Sequence, residues 1–187
     1  YNSISKGSAY YIPKVEHMVE DHGSQAVTVN LKMKSAAAAT AAEPLFQRAG
    51  AATSVDGETL RVEGDLETIF RTCLEDAEAA YHNQGDEFEA RYGVGARAAL
   101  HSWWLSLTAM EKDLNRQKLF AAAQLTHSVQ AKTVECAYNY YGIEAQAIQD
   151  RWGTVLFSLV FYVLYTIWYG YAIMYMFEGL GFELAAH

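Results

Sequence analysis

From Trp152 to Phe177 the chain carries no charged residue and no histidine. At about 1.5 Å rise per residue a helix over this run is longer than the roughly 30 Å hydrocarbon core of a bilayer. A buried helix of a soluble protein rarely stays apolar all round for that length, so the run is expected to be a single transmembrane helix. Asp150 and Arg151 close one end and Glu178 the other. The fold class that follows is mainly α: one transmembrane helix near the C-terminus and an N-terminal extramembrane helical domain carrying a small β element.

The run is rich in aromatic residues, and Tyr162, Tyr165 and Trp168 lie near its middle. Tyr and Trp normally gather at the two membrane interfaces. At mid-depth each brings a hydrogen-bonding group that hydrocarbon cannot satisfy. These three are therefore expected to face other protein, with Gly170 offering a place for close helix approach. The span holds no axial histidine for a haem and no carboxylate or lysine for a proton relay. Lys132 and Arg151 precede the span and no Lys or Arg follows it, which by the positive-inside tendency places the N-terminal domain on the cytoplasm-like side.

Composition sets further limits. The formal net charge is -8 over 187 residues, with no Lys/Arg cluster, so nucleic acid is not an expected partner. Cys73 and Cys136 form no CxxC pair and read as small buried hydrophobes. The chain begins at Tyr1, which fits a cleaved targeting segment and equally an experimental boundary.

Residues 1–25 have no clear period and read as an extended arm. Residues 27–33 alternate, with Val27, Val29, Leu31 and Met33 on one face, which predicts a half-buried strand. Leu60 and Val62, after Asp56-Gly57, form its nearest pairing candidate. The Ala-rich stretch from Ser35 to Ala52, interrupted by Pro44, reads as a short helix or a mobile linker. Asp65 can cap a helix reaching His82, with Leu66, Ile69, Phe70, Cys73, Leu74, Ala77 and Tyr81 on one face. Residues 83–95 read as a break and a turn. Thr108-Ala109-Met110-Glu111 fits a capping box, which predicts a helix from there to Tyr141, stopping at Gly142. A last helix is expected from near Ile143 into the membrane.

Catalytic patterns are absent: there is no Gly-x-Ser-x-Gly, His-Glu-x-x-His or phosphate-binding loop. Gly93-Val94-Gly95 lacks the strand and third glycine of a nucleotide fingerprint. Glu78 and His82 stand one helical turn apart, as a solvated pair in preference to a metal site. His17, Glu20, Asp21 and His22 are ligand types, but on a mobile arm they lack the fixed geometry a metal needs. No catalytic, cofactor-binding or metal-ligating residue is assigned, and no cofactor.

Two segments resemble nuclear-encoded subunit 4 of mitochondrial cytochrome c oxidase. Tyr10-Tyr11-Ile12-Pro13-Lys14-Val15-Glu16-His17 is similar to that family's Tyr-Pro-Leu-Pro-x-Val-x-His stretch, matching at Tyr10, Pro13, Val15 and His17. Trp104-Leu105-Ser106-Leu107-Thr108-Ala109-Met110-Glu111-Lys112, with Phe120 beyond, resembles the family's Trp-x-x-Leu-Ser/Thr-x-x-Glu/Asp-Lys helix start. Both occur in family order with one apolar span after them, and Trp168 resembles a tryptophan of the family's membrane helix.

The resemblance implies a non-catalytic accessory subunit of the respiratory-chain oxidase in the mitochondrial inner membrane. It implies a domain in the matrix, with the oxidase core and the bilayer as partners. The departures are large. Residues 18–103 separate the motifs where the family has a short connection, so 26–100 reads as an insertion and 101–151 as the helical extramembrane segment. Only ten residues, 178–187, follow Phe177, where the family has a longer tail. No family nucleotide-linked regulatory site is carried over. Two rival expectations remain: an accessory subunit of another energy-transducing complex such as ATP synthase, and a membrane-anchored enzyme.

Overall fold

The alternation at 27–33 forms a strand. In the computed structural model, which describes residues 6–144 and 152–180, β1 (Ala26–Lys32) buries Val27, Val29 and Leu31 and turns Thr28, Asn30 and Lys32 outward. Its partner is β3 (Thr59–Asp65), antiparallel, with Val29 opposite Val62 and Leu31 opposite Leu60. The expected pairing with the Leu60–Val62 segment is therefore present. A further strand, β2 (Ala52–Asp56), hairpins onto β3 through Gly57, whose φ of 57° suits glycine. The sheet order is β1-β3-β2, and β3 is its centre.

The Ala-rich stretch is a helix, α2 (Ala36–Arg48). Ser35 caps it, its side chain accepting from the Ala38 amide at 3.2 Å. Ala39, Ala42, Leu45 and Phe46 are buried at helical spacing, and this contact surface outweighs the breaking tendency of Pro44.

The N-terminal stretch corrects the sequence reading. Residues expected as an extended arm contain a helix, α1 (Ile12–His22), with Pro13 in its first turn and Ile12, Val15 and Val19 buried. A 3-10 turn at Gly7–Ala9 precedes it. Ile12, Val15 and Val19 stand at i, i+3 and i+7 on one helical face, so α1 carries a period that the reading of 1–25 as an arm overlooks.

Asp65 caps α3 (Leu66–Tyr81) as expected, accepting the Thr68 amide at 3.0 Å. The expected face is buried, and so are Thr72, Asp76 and Ala80, so α3 is enclosed on more than one side. The region read as a turn holds a short helix, α4 (Asp86–Tyr92), anchored by Phe88 and closed by Gly93 at φ 68°.

The helix expected to start at Thr108 starts twelve residues earlier. Helix α5 (Ala96–Arg116) places Thr108 in its interior, where the hydroxyl donates to the Trp104 carbonyl at 2.8 Å. Thr108 and Glu111 are therefore no cap. Ala96, Ala99, Leu100 and Trp103 continue the apolar period upstream, and the interior Thr–Glu spacing imitates a start signal. The chain then turns through Gln117-Lys118-Leu119, with Lys118 at φ 65°. It continues as α6 (Phe120–Val129), a π-helical turn at Gln130–Val134, and α7 (Glu135–Tyr140). The stop at Gly142 holds, at φ 82°.

One apolar core runs from Ile12 through Val29, Phe46, Phe70 and Trp103 to Ala137. The segment expected as an insertion shares that core with the residues on both sides of it. The last turn is pinned from two distant points. Lys6 Nζ donates to the carbonyls of Tyr140 and Ile143 at 3.3 and 2.5 Å. Asn83 donates to the Ile143 carbonyl at 3.2 Å and accepts the Gly142 amide at 2.7 Å. The expected continuation from Ile143 lies partly outside the described residues. From Trp152 the second unit contains α8 (Trp152–Gly179), a single apolar helix.

Candidate functional site

Three features of the described residues carry chemistry. The first is Asp76 on α3, fully buried beside the apolar face that sequence periodicity assigns to the core. Its Oδ2 accepts from Trp103 Nε1 of α5 at 2.9 Å and from the Tyr92 hydroxyl at 2.5 Å. Oδ1 meets Arg91 Nη1 of α4 at 3.4 Å. Burial pushes the carboxyl above its usual range, opposed by these hydrogen bonds and by the charges of Arg48 and Arg91. Burial, and then the bond to Asp76, push the Tyr92 phenol up as well. With both oxygens engaged, Asp76 ties three helices together. Asp76 lies off the seven-residue apolar face, so no sequence period marks it as buried.

The second feature gathers Glu78, His82 and Tyr10. The expected one-turn pair forms, His82 Nε2 to Glu78 Oε1 at 3.0 Å. Tyr10, from the far end of the chain, donates to the same oxygen at 2.5 Å. Burial and this bond raise the Tyr10 phenol. Glu78 Oε2 is buried with no hydrogen-bond partner among the described residues. Beside it α1 and α3 border an open cleft of about 240 Å³ whose wall includes Ile12, Pro13, Glu16, Leu74 and Glu75. Arg71 lines the same cleft, so its wall carries charges of both signs.

The ligand-type residues of α1 turn to separate partners. His17 Nδ1 meets Glu20 at 3.4 Å, His22 Nε2 meets Gln25 at 2.8 Å, and Glu20 also reaches Arg71 at 3.4 Å. Among the described residues no three His, Cys, Asp or Glu side chains converge as a metal site would require. Cys73 is buried and Cys136 half-buried, and both are free thiols.

The third feature is α8. Over its most apolar 18 residues the mean hydropathy is 1.6, and none of those 18 is buried. Among the described residues it is the one helix long and apolar enough to cross a membrane. At about 100° per residue, Phe157, Phe161, Tyr165, Trp168 and Tyr175 fall on one side, and Leu156, Leu159, Val163, Gly170 and Met174 on the other. Aromatic neighbours stack along the helix, Phe157 on Phe161 at 6.2 Å and Tyr165 on Tyr169 at 6.1 Å between centroids. Gly170 thus lies opposite the aromatic side, so one helix contact cannot be centred on both.

Compared with known proteins, the chain matches no family model, no curated sequence and no solved structure.

Proposed function

We propose that this chain is a non-catalytic, single-pass subunit of a multi-subunit membrane complex, and that the complex is mitochondrial cytochrome c oxidase. The observation that carries the first part is α8, 28 residues of apolar helix ending at Gly179. Its interior aromatic residues bring polar groups to mid-depth, which a lone anchor in lipid would not need. The assignment to the oxidase rests on the resemblance of residues 10–17 and 104–112, in family order ahead of one apolar helix. The interior position of Thr108 removes the capping pair from that argument, and the order of the motifs remains. In this reading the folded unit lies in the matrix and supports assembly and stability of the oxidase core.

Purification of the native complex through a tag on this chain tests the proposal. Haem a absorbance and cytochrome c oxidation in the purified particle are the expected results. ATP hydrolysis in a haem-free particle would replace the oxidase with ATP synthase. A monomer with its own catalytic activity would overturn the accessory role.

A further inference from the structure

We infer that α8 is two-sided in the membrane, with its aromatic side seated against a transmembrane helix of a partner subunit and its aliphatic side against lipid. The inference rests on the membrane-spanning reading above and adds which face is covered and by what. The polar groups of α8 divide into two kinds. Ser158 donates to the Thr154 carbonyl at 2.9 Å and Thr166 to the Tyr162 carbonyl at 2.7 Å. Those hydroxyls are satisfied within the helix and ask nothing of their surroundings.

A tyrosine hydroxyl cannot do this, because its rigid ring carries the oxygen away from the helix's own backbone. Tyr165 is 54% exposed and Trp168 75%, and both lie within about two turns of the middle of the helix. Acyl chains offer no acceptor, and an unmatched donor in hydrocarbon is costly. The chemistry that matches this side is a helix presenting acceptors at that depth: Ser, Thr, Asn, Gln or a carbonyl freed at a kink.

On the opposite side the one indole, Trp152, stands at the end of the helix, and the middle asks for nothing. Leu156, Leu159, Val163 and Met174 are satisfied by acyl chains, and Gly170 among them has open space where a Cβ would stand. On the covered side the rings of Phe157 and Phe161 stand nearly parallel, 6.2 Å apart between centroids.

The test uses the full chain in its native membrane, with the photo-crosslinking residue p-benzoylphenylalanine at Phe161 or Tyr165, and at Leu159 or Val163. The expected result is polypeptide adducts from 161 and 165, several-fold above those from 159 and 163, which label lipid. Equal or reversed yields in a chain that resists carbonate extraction would overturn the sidedness while leaving the span intact. An adduct of twice the chain's own mass would make the occupant a second copy and overturn the partner subunit. Release of the chain by carbonate would remove the membrane reading itself. As a second readout, Tyr165→Phe, which removes only the hydroxyl, should lower the fraction of chain in the complex, and Gly170→Leu should leave it unchanged. The opposite pattern would overturn the inference.

Discussion

The indole of Trp103 donates to the Asp76 carboxylate at 2.9 Å, inside a core that excludes water from both. Replacing either partner alone strands the other. Asp76→Ala leaves the Trp103 N–H and the Tyr92 hydroxyl without their acceptor and should cost about 3 kcal/mol. Asp76→Asn keeps an acceptor for both and should cost markedly less. The buried thiol of Cys73 supplies the measurement, in a Cys136→Ser background: the denaturant midpoint at which a thiol reagent reaches it. Equal losses for Ala and Asn would show that the bonds do not hold the helices.

Thr108 lies inside α5, and its oxygen also accepts from Gln130 Nε2 of the π-helical turn at 2.7 Å. Gln130 is nearly buried, and its other acceptor is the Trp104 carbonyl at 3.3 Å. Thr108→Ala should therefore cost about 1 kcal/mol through the stranded amide. Thr108→Ser, which keeps the oxygen, should restore most of it. The double variant with Gln130→Leu should show coupling between the two sites in the same Cys73 assay. Full additivity would leave the bond without energetic weight.

Asp65 sets a pH dependence. Burial acts to raise its carboxyl, but hydrogen bonds from Ser24, from Thr68 and from the backbone hold it below the ordinary 3.8. The folded state thus binds this proton less readily than the unfolded chain. Its contribution is present above pH 3.8 and is lost as pH falls through the folded value. Asp65→Asn should flatten the acid limb of the stability profile, and Asp65→Ala should also remove the cap, about 1 kcal/mol. Asp76 acts in the opposite sense: its raised carboxyl favours folding below pH 3.8 and loses that contribution as pH rises through the folded value. An unchanged acid limb in Asp65→Asn would show that ionisation of this carboxyl does not set it.

Gly64 is required by space. A Cβ there would stand 2.8 Å from Ala51 Cβ and 3.2 Å from Ala51 Cα, which is backbone and cannot swing away. Gly64→Ala should cost about 1–3 kcal/mol. Adding Ala51→Gly should recover part of that loss, and no recovery would place the strain elsewhere.

The parts legible in the sequence are those whose period matches their surroundings. β1 alternates because one face meets the core and the other water, and its partner shows the same period at Leu60 and Val62. α3 was legible because Asp65 marks its start and seven apolar residues mark its face. α1 carries the period of Ile12, Val15 and Val19, but it is short and follows a run of Tyr, Ser and Gly with no period, and the two together read as an arm. The start of α5 was missed because Gly95 has no side chain to cap with, while Thr108 and Glu111 imitate a cap in its middle. At the Glu78 niche the pair with His82 is local and was read from spacing. Tyr10 joins it from 68 positions away, through tertiary packing that no local pattern records.

The pinning of residues 142 and 143 has a mechanical consequence. Lys6 and Asn83 grip the last turn of the folded unit at Ile143, so that point is held by the beginning and the middle of the chain as well as by its own helix. Tension applied beyond Glu144 enters the fold at this grip. It is shared between segments far apart in sequence, loading them in parallel like a knot with three strands. Peeling α7 away from its end first requires the Lys6 and Asn83 contacts to break.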